Sequence, residues 1–371
     1  MPKKQVAIMG ATGAAGLEFI HTLQDHPWFE IVALYASERN RGKTLEEACR
    51  LSLEGVHQDI RNLQLRDVND ISASYDLICS ALPSEVARDL EERCAVHTPV
   101  VSTTSAFRYE EDVPLIIPEI NGETIEKVRQ QQANRNWKGW VLPGPNCTTV
   151  GLVLSLAPLA QLRRIESVIM TSYQAVSGGG AELLDLWRTQ GTMPQYRGDQ
   201  AISPDTHIAR GDPFFALNEN VIGYISGEEQ KVRKETAKIL AHLQKGFKID
   251  CSCVRVPVEV GHFETVFAET LEPISPEELV GFYETFNDRS RREFGFLPSS
   301  PSSCIHVLQR SPQPRLDAYL DGGMAAIVGR IETSEAYTCG LKWQVLSNNL
   351  QRGAAKGVIQ VAEYALTRDL L

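Results

Sequence analysis

The chain lacks any CxxC pair and any zinc-finger spacing among its eight cysteines, at positions 49, 79, 94, 147, 251, 253, 304 and 339. Cys251 and Cys253 stand two apart in a strand-like run that turns both to one face, but two thiols alone make a poor metal site. No metal is expected, and free thiols suit a cytoplasmic protein. The chain also lacks an apolar run of the roughly 18 residues that a membrane span needs. Its first residues, Met-Pro-Lys-Lys-Gln, run straight into an alternating strand, without the long apolar stretch and cleavage site of a signal peptide. It lacks net positive charge as well: the formal net charge is −10. That argues against nucleic acid or an anionic membrane as the main partner, while leaving room for a basic pocket around a small anion. There is no internal repeat and no low-complexity tract.

What is present is an ordinary globular composition over 371 residues, enough for two domains and a core that needs no staples. Gln5-Val-Ala-Ile-Met9 reads as a buried strand. Gly10-Ala-Thr12-Gly13-Ala14-Ala15-Gly16 follows at once, and Leu17 to Leu23 continues with helical periodicity. Strand, glycine turn and helix are the context that a dinucleotide fingerprint requires. The first glycine permits the turn, the second lets the backbone approach a pyrophosphate, and the third allows close helix–strand packing. The second strand, Glu30–Tyr35, is followed by Ser37, Glu38 and Arg39 rather than closed by the acidic residue typical of NAD sites. Ser37 and Arg39 could hold a 2′-phosphate, so NADP is the expected cofactor.

Further strands are predicted at 75–83, 99–102 and 140–142, with a helix over 84–95; 114–121 reads as extended. Arg108 falls just beyond the 99–102 strand, where ligands sit in such sheets. The last of these strands delivers Pro143-Gly-Pro-Asn-Cys147-Thr-Thr149, then an apolar run at helix spacings. Cys147 is thereby placed at a helix start, where the dipole favours a negative charge; its thiol is expected to be more acidic than usual and to act as a nucleophile.

From residue 164 the character changes. Residues 164–174 alternate like a strand of a half-solvated sheet. Ser177-Gly178-Gly-Gly180 could bring backbone close to a nicotinamide, ahead of a helix at about 182–188. Residues 189–221 read as a long irregular loop. Glu228 and Lys231 share one face of an amphipathic helix, as a solvated ion pair would. Residues 251–268 read as one long strand or two, kinked near Pro257 and Gly261. A capped helix is predicted from Pro276, strands at 324–330 and 340–346, and a last helix opening at Asn348. A cysteine thiolate beside a nicotinamide suggests sulfur attack on a carbonyl, hydride transfer and a thioester. His262, with a free pKa near 6.5, could move the protons.

Seven segments in order resemble the aspartate-β-semialdehyde dehydrogenases: Gly10–Gly16, Ser105-Ala-Phe-Arg108, Pro145-Asn-Cys-Thr-Thr149, Ser172-Tyr-Gln-Ala-Val-Ser-Gly178, Glu228-Glu-Gln-Lys231, Arg255-Val-Pro-Val-Glu-Val-Gly-His262 and Asn349-Leu-Gln-Arg-Gly-Ala-Ala355. The second half is similar to the archaeal and fungal branch. The resemblance implies an α/β architecture: a Rossmann-type dinucleotide-binding domain over 1–148, completed by the helix at 349–371, and an α+β catalytic and dimerisation domain over 149–348 with a mixed, largely antiparallel sheet. It implies Cys147 as nucleophile, His262 as acid/base and Gln174 as a positioning group. Arg255 would clamp the substrate α-carboxylate, Glu228 its amino group, and Arg108, Asn146 and Lys231 the phosphate. Gly10, Thr12, Gly13, Ala14, Ala15, Gly16, Ser37, Arg39, Ser177, Gly178 and Asn349 would line the cofactor. The implied reaction is NADPH-dependent reduction of β-aspartyl phosphate to aspartate 4-semialdehyde with release of inorganic phosphate, by a homodimer or homotetramer. A sister acyl-phosphate or acyl-thioester reductase, such as malonyl-CoA reductase, is the alternative. Thr104 and Gly144 stand where the family usually has asparagine, which bears on substrate or cofactor preference.

Overall fold

The computed structural model describes residues 2–71, 74–190 and 216–371, so most of the loop expected over 189–221 lies outside the described residues. Two six-stranded sheets organise the chain. The first has strands β1 (Lys4–Met9), β2 (Phe29–Ala36), β3 (Leu65–Asp67), β4 (Leu77–Ser80), β5 (Val100–Ser102) and β6 (Val141–Pro143). Their order is β3-β2-β1-β4-β5-β6 and every pairing is parallel. Helices α1 (Ala14–Leu23), α2 (Ser84–Ala95) and α3 (Lys127–Arg135) connect them. This is the expected doubly wound sheet, and β1 and β4 are buried as near-continuous apolar runs because helices cover both faces.

The second sheet has β7 (Ile165–Gln174), β8 (Lys248–Arg255), β9 (His262–Thr270), β10 (Ile305–Leu308), β11 (Ala326–Thr333) and β12 (Gly340–Ser347), ordered β10-β11-β12-β9-β7-β8. The two outer pairings are parallel and the three inner ones antiparallel, so the sheet is mixed and largely antiparallel as expected. Helix α4 (Cys147–Leu162) crosses from one sheet to the other, and α5 (Ala181–Thr189), α6 (Glu228–Leu240), α7 (Pro276–Phe294) and α8 (Ala355–Thr367) follow. Every residue of α4 from Thr148 to Leu159 is buried. A helix apolar on all sides belongs inside. It lies in one cluster with inward residues of β7, β9 and β12 and with Val232, Ile239, Leu279 and Tyr283 of α6 and α7. On β7 the inward residues Val168 and Met170 are buried while Ile169 and Tyr173 are exposed, the alternation of a sheet covered on one side. Truncating any buried leucine of α4 would cost about 2–5 kcal/mol.

Two local readings need correction. Residues 114–121 are not extended throughout: Ile117 is extended, but Pro118 opens a helical turn over Pro118–Asn121. A proline pushes the residue before it out of the helical region and is itself preset for the first helical position. The last helix does not open at Asn348 but at Ala355. The Asn348 side chain accepts from the backbone N–H groups of Leu350 and Gln351, which holds 348–354 as a turn. Helix α8 then packs in the same apolar cluster as α1 and β1, so the end of the chain returns to the first sheet.

Candidate active site

Three strands of the second sheet bring their ends to one edge. β7 and β8 run parallel in register, with Gln174 opposite Arg255. β9 runs the other way, so its first residue, His262, arrives at the same edge. Of the two readings of 251–268, one long strand or two, the structure has two, both flanking β7; Gly261 turns the chain at φ +102°. The helix α4 points its start at this edge. Asn146 caps it: its Oδ1 accepts from the N–H groups of Thr148 (3.0 Å) and Thr149 (3.3 Å). Cys147 follows, and its Sγ lies 3.2 Å from Nε2 of His262.

Ala175 fixes the neighbours of that pair. Its N–H donates to Nδ1 of His262 at 3.1 Å, and its carbonyl accepts from Nη1 of Arg255 at 2.6 Å. A nitrogen that accepts a backbone N–H carries no proton, so the neutral ring has its proton on Nε2, facing the sulfur. Gly178 closes the cluster: a Cβ there would lie 2.9 Å from Cε1 of His262 and 3.0 Å from Nη1 of Arg255. Gln174 is buried and donates to Oγ of Ser172. Asn349 joins from the end of β12. Its Oδ1 accepts from the Gly261 N–H and its Nδ2 donates to Oγ of Ser177, each at 2.9 Å.

The protonation expectations are corrected in both candidate groups, Cys147 and His262. Burial pushes the Cys147 thiol up, to about 12, and the Glu228 carboxylate adds to the rise against Arg255, Arg108 and Lys231. A helix end contributes about 0.3–1 kcal/mol, less than the roughly 1.4 kcal/mol that moves a pKa by one; desolvation wins. His262 sits well below the usual histidine range, because burial and the Arg255 guanidinium both disfavour the imidazolium. At neutral pH the resting pair is a thiol beside a neutral imidazole.

The side chains expected to hold an anion lie beside α4. Asn146 Nδ2 donates to Oε2 of Glu228 at 2.8 Å, and Lys231 donates to Oε1 of Glu228 at 2.6 Å. Glu228 is buried, so this is a built contact rather than the solvated pair that spacing alone suggests. Arg108 is buried, with Nη2 on the Thr103 carbonyl and Nη1 on Glu235. Glu235 is a residue the sequence reading missed. It lies seven residues after Glu228 on α6, so the helical repeat that paired Glu228 with Lys231 was the available signal.

Thr104 and Gly144 are each engaged by neighbouring packed residues. Thr104 is buried, with its hydroxyl on Glu91, and a Cβ on Gly144 would lie 2.4 Å from Cγ2 of Val358 in α8. At the first sheet, Gly10 has φ +77°, and a Cβ there would lie 2.4 Å from the Ala81 carbonyl oxygen. A Cβ on Gly16 would lie 2.1 Å from the Gly10 carbonyl oxygen. Gly13 stands at the cap position of α1 with no side-chain cap, which leaves the first N–H groups of Ala14, Ala15 and their neighbours for an anion. This bare helix start, reached by a loop pressed against β4, fits a pyrophosphate. Thr12 lies in the loop, and Ser37 and Arg39 are exposed beyond the end of β2, on the side where a nucleotide's adenosine end would lie.

Comparison with known proteins supplies the family. The family model for the semialdehyde dehydrogenase NAD-binding domain matches residues 5–128, and that for the semialdehyde dehydrogenase dimerisation domain matches residues 156–352. The aspartate-semialdehyde dehydrogenase of Archaeoglobus fulgidus is 36% identical over 99% of both chains. The chain belongs to the aspartate-semialdehyde dehydrogenase family. The Aspergillus fumigatus enzyme is 32% identical over 100% of this chain and 99% of its own. The crystal structure of the Candida albicans enzyme with NADP superimposes with a TM-score of 0.80 at 30% identity, covering both chains fully. The family includes a dimerisation domain, so a self-associating protein is the expectation for the second sheet. Among the described residues no helix is long and apolar enough to cross a membrane, and no group of three or more metal-ligating side chains occurs.

Proposed function

We propose that the chain catalyses the NADPH-dependent conversion of β-aspartyl phosphate to L-aspartate 4-semialdehyde and inorganic phosphate, in the cytoplasm, as a homodimer or homotetramer. The observation that carries the reading is the approach of Cys147 Sγ to His262 Nε2, at 3.2 Å, on the edge that also presents Arg255 and Gln174. The sulfur attacks the acyl carbon, the C–O bond to phosphate breaks and the thiol proton departs on the phosphate, giving a thioester. NADPH, when bound, supplies the hydride that reduces it. Arg255 holds the α-carboxylate and Glu228 the ammonium. Ammonium binding offsets the carboxylate charge that raises the thiol pKa, so the right substrate assists its own nucleophile. Arg108, Lys231 and the Asn146 amide hold the departing phosphate. The Nε2 proton of His262 points at the sulfur, where it stabilises thiolate both as nucleophile and as leaving group. Gln174 orients the acyl oxygen. Gly10, Thr12, Gly13, Ala14, Ala15 and Gly16 hold the pyrophosphate, Ser37 and Arg39 the 2′-phosphate, and Ser177, Gly178 and Asn349 the nicotinamide end.

The test is phosphate-dependent reduction of NADP by aspartate semialdehyde, followed by NADPH absorbance. Malonyl-CoA with NADPH is assayed alongside. Turnover of malonyl-CoA without turnover of the aspartyl substrate would replace this reading.

A further inference from the structure

We propose that Glu235 is a positioning residue for this reaction, locking the phosphate-binding Arg108 to the start of the nucleophile helix. The inference rests on the reading of Arg108 given above. The Glu235 side chain is fully buried, and its two oxygens serve different elements. Oε2 accepts the backbone N–H of Asn146, at 2.6 Å, one residue before Cys147. Oε1 accepts from Nη1 of Arg108 at 3.1 Å and from the Tyr109 hydroxyl at 3.3 Å. One carboxylate therefore joins the arginine beyond β5 to the cap of α4.

Its neighbours on α6 serve the same two elements. Glu228 takes the Asn146 amide and Lys231. Lys238 donates to the carbonyls of Arg108, Glu110 and Val113 at 2.7–2.8 Å, which fixes the loop that carries the arginine. Glu228, Lys231, Glu235 and Lys238 stand at steps of three and four, a single face of the helix. A buried ion pair built only for stability would use up its donors. Arg108 does not: its Nε is buried with no partner, so the guanidinium is held firmly with a donor in reserve.

Charge and geometry predict opposite signs for this residue. The formal charges of Arg108 and Lys231 are balanced by those of Glu228 and Glu235, so on charge alone Glu235 opposes a dianion and its neutralisation would tighten phosphate binding. If its task is to aim Arg108, neutralisation weakens phosphate binding. Glu235→Gln separates the two. The amide carbonyl can still accept the Asn146 N–H, while the amide NH2 turned to Arg108 cannot pair with it. In the full-length enzyme, assayed as NADP reduction by aspartate semialdehyde, the variant should raise KM for phosphate about tenfold. It should keep kcat within about threefold and KM for the aldehyde within about twofold, since Cys147 and Arg255 stay in place. Glu235→Leu, which also frees the Asn146 N–H, should lower kcat about 100-fold with NADPH affinity retained. Arg108→Leu is the control. If it leaves KM for phosphate unchanged, the reading of Arg108 falls and this inference with it. If Arg108→Leu raises that KM and Glu235→Gln leaves it unchanged or lowers it, the inference about Glu235 alone is overturned.

Discussion

The rims of the two sheets solve the problem of holding a charged ligand in opposite ways. The first sheet presents backbone: Gly10 and Gly16 are pressed so close to Ala81 and to each other that no side chain fits, and α1 begins without a cap. The second presents buried side chains that already hold one another, with Ala175 binding both His262 and Arg255, Asn146 binding Glu228, and Glu235 binding Arg108. A surface of N–H groups accepts any nucleotide phosphate of the right shape. A surface of interlocked charges is specific but costly to disturb, because each group removed leaves a buried partner unpaired. Cofactor recognition and substrate chemistry should therefore fail independently.

The sharpest separation is expected from Cys147→Ala. Turnover should fall by about 10⁴-fold or more, with NADPH binding, measured by fluorescence, close to the parent. Loss of NADPH affinity would mean that the two rims are not separable. Next is Arg255→Leu. Losing a charge-assisted pair worth about 1.5–3 kcal/mol should raise KM for aspartate semialdehyde roughly 10–150-fold, and KM for phosphate far less. A rise in phosphate KM alone would exchange the roles of Arg255 and Arg108. Gly16→Ala tests the other rim. A Cβ 2.1 Å from the Gly10 carbonyl must displace the loop, at about 1–3 kcal/mol. NADPH affinity should drop by up to about two orders of magnitude, while alkylation of Cys147 by iodoacetamide keeps its rate. The smallest effect concerns protonation. Because Glu228 raises the Cys147 thiol pKa, Glu228→Gln should move the alkylation midpoint to lower pH. At mildly alkaline pH alkylation should be a few-fold faster than in the parent. A midpoint that stays, or rises, would show that Glu228 does not govern the sulfur.

The first rim was almost wholly legible in the sequence, because a strand, glycines at fixed spacing and a helix determine its geometry locally. The strands at 75–83, 99–102 and 164–174 were legible in the residue pattern, whereas the mixed second sheet was expected only from the resemblance. The second rim was legible as a set of residue types but not as an electrostatic state. Placing Cys147 at a helix start was right, yet the thiol is less acidic than usual, since burial beneath the second sheet and the nearness of Glu228 are set by residues far along the chain. His262 is displaced downward by burial of the same kind and by the Arg255 guanidinium. Glu235 was overlooked because an acidic residue on an amphipathic helix looks solvated until the helix is known to lean on α4. Pro118 and residues 348–354 were misread where a proline and an asparagine each dictate one turn, below the length that periodicity resolves.

Gly353 rests against Cys147, and a Cβ on the glycine would lie 2.7 Å from Cβ of the cysteine. Three residues on from Asn349, Arg352 is clamped by the buried Glu119. The sulfur is thus walled by a turn synthesised some 200 residues after it. A chain still emerging from the ribosome carries an unfinished pocket and becomes an enzyme only when its final segment has folded back.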